Sequence, residues 1–295
     1  MSAGELPKLR LAQPESAEDL ARRLTREQIT QQRQQESQLD EATLPAHRVG
    51  SVPYLNAVPL TRGIEDQIVF MPPSQLGEML RADKLDAALV SVTEVLFHDR
   101  YDVLDGVAVA SLGEVKSVFL AHRIPLDEIR RVFCDSASLT SVNLLKVLLA
   151  ERGLKPEFVP LPSYEEAPKL DAVLLIGDRA IDFLRSPHEH RIWDLGTAWM
   201  ELTGLPFVYA VWALRRDADT KDIRRVLRGA KAFGLETLDH IIRDRKEYDY
   251  EFRRDYLGWH IHFHLGTDEK RGLARFSELL CGHGLGPVFD LRFVS

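Results

Sequence analysis

VAVASLGEVKSVFLAHR, residues 107–123, holds two apolar runs on either side of Gly113, and the second ends at His122-Arg123 before PLDEIRRVF opens a new unit. Short apolar runs bounded by turn residues read as buried strands. The change of unit marks this stretch as a crossing between two lobes. Its counterpart is RIWDLGTAWMELTGLPF (191–207), followed by VYAVWALRR (208–216), a strand run that carries the chain back. Two crossings enclose an inserted lobe: 47–119 with 207–295 form the interrupted lobe, and 120–206 the inserted one.

Outward from the crossing, strands alternate with helices. HRVGSVPYLNAVPL (47–60) is a strand broken by Gly50 and Pro53 that leads to a helix starting near Val58. IVFMPP is the next strand, SQLGEMLRADK a helix capped by Ser74, LDAALVSV a buried strand and TEVLFHD a short helix. Past the crossing, VFCDSASLTSVNLLKVLLAERG reads as strand, polar loop and long helix, FVPLP as a strand, and LDAVLLIGDRAIDFL as strand, Gly turn and helix. Helices over 222–245 and 268–285 close the chain. Such alternation predicts an α/β protein with mixed or parallel sheets. Together with the two crossings it predicts a two-lobed, periplasmic-binding-protein-like (type II) clamshell that holds its ligand between the lobes.

Composition narrows the function. The 295 residues carry 45 acidic and 38 basic side chains mixed along the chain, a formal charge of -7. No basic stripe exists to neutralise phosphates, so nucleic acid is not expected as a partner. No apolar run is long enough to span a bilayer, and the N-terminus lacks the charged-then-apolar order of an export signal, so the expectation is a cytoplasmic protein without a membrane partner. Residues 1–46 are polar and rich in Gln and Glu, an appendage in which Ser16 and Asp19 can start one amphipathic helix. Cys134 and Cys281 have no CxxC spacing and read as buried free thiols.

Several positions carry chemistry. Asn56 falls where a strand feeds a helix, at the carboxyl end of that strand, the usual ligand crevice of open α/β sheets. Its amide both donates and accepts, although a turn role fits as well, and Tyr54 equally suits packing. DSASLTSVNLL (135–145) groups Ser138, Thr140 and Ser141 before a long helix whose free N–H groups and dipole favour an anion. Plain N-capping explains one hydroxyl without needing the cluster, and the lack of a Gly-rich phosphate loop favours a carboxylate. Ser117 enters the crossing strand, where its hydroxyl can face the cleft floor or bond backbone. Gly177-Asp178 ends another strand, with Asp178 able to cap the next helix or touch ligand. WHIHFHLG would put His260, His262 and His264 on one face if it were a strand, but no carboxylate or cysteine adjoins it at ligand spacing, and no metal is expected. A GxSxG elbow, a Walker loop, a GxGxxG fingerprint and HExxH are all missing, which weakens hydrolase, kinase and dehydrogenase readings.

RVGSVPYLNAVPL, LDAALVSVTEVL, VKSVFLAHR, SLTSVNLLKVLL, DAVLLIGDRAI and DLGTAWMELTGLPFVYAVWA follow one another in an order that resembles the chorismate dehydratase family, from about residue 47 to the C-terminus. The resemblance implies loss of water from chorismate to give 3-[(1-carboxyvinyl)oxy]benzoate, the first committed step of menaquinone synthesis by the futalosine route, with no metal or organic cofactor. It implies Asn56 and Ser117 as the catalytic pair and puts the substrate's carboxylates near Ser138, Thr140 and Ser141; Tyr54, Gly177 and Asp178, from their places at strand ends, are further substrate-binding candidates. Trp199, Thr203 and Gly204 are then expected to line the cleft from the other side. The expected partner is the small molecule itself, with room for a homodimer. A non-catalytic small-anion sensor of the same fold, or a paralogue acting on another carboxylate, is the competing reading.

Overall fold

The computed structural model describes residues 48–135 and 139–295. The extension 1–46, with its Ser16 helix start, and Ser138 lie outside the described residues. Eleven strands form two sheets among these residues: β1 (Val49–Ser51), β2 (Val69–Phe70), β3 (Ala87–Ser91), β4 (Tyr101–Ser111), β5 (Val118–His122), β6 (Arg131–Cys134), β7 (Glu157–Pro160), β8 (Ala172–Ile176), β9 (Arg191–Asp194), β10 (Phe207–Arg215) and β11 (Phe293–Val294). The first sheet runs β11-β4-β10-β3-β1-β2 and the second β7-β6-β8-β5-β9. In the first, β1 lies parallel to β2 and β3, while β10 runs antiparallel to β3 and β4. In the second, β6 is parallel to β7 and β8, and β5 is antiparallel to β8 and β9. Strands such as β3 and β8 are buried almost throughout because helices cover both faces, which is why they read as unbroken apolar runs.

All of β5 belongs to the second sheet. The chain therefore leaves the first sheet between Ser111 and Val118, and a boundary at 119 would fall inside a strand. It returns between the helix Leu195–Thr203 and β10. One apolar cluster runs through both sheets, and a smaller one gathers Phe119, Val173 and Phe183 on the second. Among the described residues no helix is long and apolar enough to cross a membrane.

Three local expectations are corrected, and the His-rich stretch takes a definite form. The segment after β1 is a 3-10 turn, Leu55–Leu60, rather than an α-helix from Val58, because Pro59 inside it has no N–H to give. The helix Pro73–Arg81 starts on Pro73, whose ring presets the first-turn φ, so Ser74 lies inside the helix and does not cap it. WHIHFHLG is not a strand: a π-turn, Tyr256–His260, leads into an isolated pairing of His262 with Ala110. Its rings consequently diverge, His260 toward the Glu114 carbonyl and His264 toward Lys231. No group of three His, Cys, Asp or Glu converges for a metal among the described residues. Cys134 is buried but Cys281 is exposed, because Leu279 and Leu280 take the inward face of the final turn of Thr267–Gly282.

Candidate active site

A cleft opens where both sheets meet. Val52, Tyr54 and Asn56 after β1, Leu89 to Ser91 at the end of β3, Val115, Ser117 and Val118 at the crossing, Ile176 and Gly177 at the end of β8, Tyr209 of β10, and Ser141 all line it. Polar side chains reach it from the carboxyl ends of β1 and β3, the crevice expected of open α/β sheets, and from Ser117, Ser141 and Tyr209. Among the described residues, none that lines it carries a formal charge. What the cleft offers a ligand is hydroxyl, amide and apolar surface.

Asn56 and Ser117 come from different sheets and meet on a third residue. Asn56 Nδ2 donates to the Tyr256 hydroxyl at 3.2 Å, and that hydroxyl donates to Ser117 Oγ at 2.8 Å. Tyr256 is 1% exposed and stands behind the pair, while Ser117 and Asn56 border the cleft. Sequence reading missed Tyr256, since its partners lie 200 and 139 residues away along the chain.

Ser117 is held by its backbone. The carboxylate of Asp194 accepts from the Val115 and Lys116 amides at 3.1 and 2.9 Å, and also caps its own helix by accepting from Thr197 N–H at 2.9 Å. Lys116 adopts φ +62°, a left-handed conformation that side chains other than glycine rarely take, so the Asp194 bonds hold a strained turn just before Ser117. Burial raises the Asp194 carboxyl above its ordinary range, and the three amides pull it back in part. After the turn, the Ser117 carbonyl accepts from Gly177 N–H at 2.8 Å.

Tyr54 packs its ring over Gly177, where a Cβ would stand in ordinary contact with it at 3.6 Å; the φ of +58° is what favours glycine at that position. Burial, with the Asp135 and Asp178 carboxylates nearby, pushes the Tyr54 phenol up to about 12, so it remains a donor. Asp178 does not cap its helix, and the nearby Leu55 amide offsets part of the rise that burial gives its carboxyl. Burial first, then the Asp182 and Glu247 carboxylates, raise it to about 6.

The remaining expected residues divide. Ser141 borders the cleft at the first turn of the helix Leu139–Ala150. Thr140 is fully buried, and its Oγ1 accepts from Thr93 N–H at 3.0 Å. Trp199 stands off the cleft wall, edge-on to Phe207 and Phe276 with its indole N–H on the Pro206 carbonyl at 3.2 Å. Thr203 bonds back to the Trp199 carbonyl, and Gly204 terminates the helix with φ +68°. These last three build the return crossing, and Trp199 misled because a large aromatic near a glycine turn reads equally well as wall or as core.

Residues 47–281 match the model of a family described by its role in menaquinone biosynthesis. The chain is 33% identical over 259 residues to the chorismate dehydratase of Thermus thermophilus, covering 80% of this chain and 95% of that protein. It is 27% identical over 230 residues to the chorismate dehydratase of Campylobacter jejuni, covering 76% and 88%. Among solved structures, protein AF1704 of Archaeoglobus fulgidus superposes with a TM-score of 0.65 at 18% identity, over 81% of this chain and 98% of that one. The alkanesulfonate-binding protein SsuA of Xanthomonas axonopodis pv. citri, bound to MOPS, gives 0.60 at 15%, over 82% and 94%. At such identities the likeness is one of fold, and the fold is the two-lobed α/β architecture of the solute-binding proteins.

Proposed function

The chain belongs to the menaquinone-biosynthesis family, and from that premise we propose that it is a chorismate dehydratase. The reaction removes water from chorismate and leaves 3-[(1-carboxyvinyl)oxy]benzoate for the futalosine route. The observation that carries this reading is the convergence of Asn56 and Ser117, from opposite sheets, on one cleft lined without charge.

The chemistry suits such a lining. The ring hydrogen on the ether-bearing carbon is acidified through the conjugated diene to the ring carboxylate. The enolpyruvyl carboxylate of the substrate takes that proton, the electron pair moves into the ring, and the neighbouring hydroxyl departs. The captured proton leaves with the hydroxyl as water, and aromatisation drives the step. A substrate that brings its own base needs no cofactor and no His or Glu in the lining. Asn56 orients the carboxylate, and Ser117 assists the departing hydroxyl. Ser141 in the first turn of the helix Leu139–Ala150, with Ser138 just before it in sequence, is assigned to the ring carboxylate, where fixed donors strengthen as charge spreads onto it. Closure of the clamshell along the two sheet boundaries dries the site. The enzyme is read as cytoplasmic, with room for a homodimer.

Incubation with chorismate, followed by chromatography for an aromatic product, tests the assignment. Product is expected from the wild-type chain, and Asn56→Ala or Ser117→Ala should lower kcat by about 100-fold or more with the fold intact. Binding without product would favour the sensor, and near-normal turnover in both variants would remove this pair from the site.

A further inference from the structure

We propose that Tyr256 is a positioning residue for the dehydration, one that turns the Ser117 hydrogen into the cleft as the donor to the departing hydroxyl. This role rests on the reading of Asn56 and Ser117 as the reacting pair. The amide nitrogen of Asn56 has only hydrogens to give, so it fills an acceptor position on the Tyr256 oxygen. The phenol must then give its own hydrogen, and the group in reach is Ser117 Oγ at 2.8 Å. Having accepted from behind, Ser117 keeps its hydrogen for the side it shows to the cleft.

The relay is rigid. The Tyr256 ring stacks on Phe252 at 5.5 Å with 19° between planes, and the Tyr256 carbonyl accepts from Ile261 N–H at 3.0 Å. The residue opens the π-turn, an irregularity that often accompanies functional positions. It does not border the cleft, so it acts through Ser117, with Asn56 fixing the direction of its own hydrogen, and not on the substrate. Burial raises its phenol far above neutrality, with the Asp178 carboxylate adding to the effect, so the phenol stays a donor across the working pH range.

Tyr256→Phe deletes the hydroxyl and keeps the ring. Expected are a KM for chorismate within about 3-fold of wild type and a kcat lower by about 10- to 100-fold, the effect of one lost charge-assisted donor. In a Ser117→Ala background the same change should cost less than about 3-fold more, because its effect travels through Ser117; a packing role would multiply instead. Should Tyr256→Phe fail to fold, ring-fluorinated tyrosine at 256 keeps shape and bonding, and must alter kcat in the wild-type background but not in Ser117→Ala. A kcat within about 2-fold of wild type, fully multiplicative losses, or indifference to fluorination overturns the role. A wild-type chain that makes no aromatic product overturns the function and this role with it, whereas an active wild type beside an equally active Tyr256→Phe overturns this role alone.

Discussion

Two carboxylates set the site without bordering it. Asp178 is raised to about 6 by burial and by Asp182 and Glu247. Its pKa is higher folded than unfolded, so between about pH 4 and 6 the folded chain holds a proton that the unfolded chain has lost, and stability falls as pH rises through that window. Asp178→Asn removes the charge and keeps the shape of the side chain. Its melting temperature should gain on wild type from pH 4 to 6 and hold that gain above; parallel curves would refute the burial argument. Asp194 works oppositely, by making bonds. Asp194→Ala strips the Val115, Lys116 and Thr197 amides of their acceptor. About 1–3 kcal/mol of stability should go, with a kcat loss as the left-handed Lys116 turn relaxes and carries Ser117 with it. Denaturant melts and turnover measure both. Asn56 and Ser117 are legible in the sequence because local motifs surround them. Tyr256 and Asp194 are not, since each becomes meaningful only through partners brought in by the fold.

Elements are legible where periodicity is strong and illegible where the backbone departs from α and β. The buried runs of β3, β8 and β10 and the helix Leu139–Ala150 stand where the pattern puts them. The 3-10 turn Leu55–Leu60 and the π-turn Tyr256–His260 have no such period, and they carry Asn56 and Tyr256. The helix Leu195–Thr203 escapes a sequence reading, since Gly196 and Trp199 obscure an amphipathic pattern that Asp194 and Gly204 nonetheless cap. Glycine then decides how tightly elements meet. A Cβ on Gly234, in the helix Lys221–Glu236, would lie 1.9 Å from the Pro59 carbonyl oxygen, so Gly234→Ala must push that helix off the Asn56 turn. A loss of about 1–3 kcal/mol and a lower kcat are expected, from overpacking and a displaced amide. Gly258, in the π-turn, has open space within 4 Å of where a methyl would stand, so Gly258→Ala should leave melting and turnover near wild type. If both variants behave alike, close packing is not what holds the Asn56 turn.

At the scale of the molecule, the two sheets are joined by two crossings and a seam of polar contacts. Arg185 donates to Asp249 at 2.5 Å, the Tyr248 hydroxyl to the Asp178 carbonyl at 3.2 Å, and His283 meets Glu151 at 2.7 Å. The Arg185 and Asp249 side chains are 42% and 53% exposed, and such a pair is worth about 1 kcal/mol or less. The buried link is different in kind: Thr93 N–H and Oγ1 both meet Thr140 Oγ1, at 3.0 and 3.1 Å, with both residues fully buried. From the sequence Thr140 is expected at the substrate, whereas the geometry turns its oxygen to the opposite sheet. Thr140→Val separates these roles, because it keeps the shape and deletes the oxygen. If Thr140 is part of the seam, the ligand-free chain should lose about 1–3 kcal/mol through the stranded Thr93 amide. KM should rise as closure becomes harder, while kcat falls less, since the closed state reached still holds Asn56, Tyr256 and Ser117 in register. If Thr140 instead serves the ligand, the ligand-free melt stays at wild type and only the stabilisation added by chorismate shrinks. Melting with and without ligand, read beside KM and kcat, therefore assigns Thr140 to the seam or to the cleft.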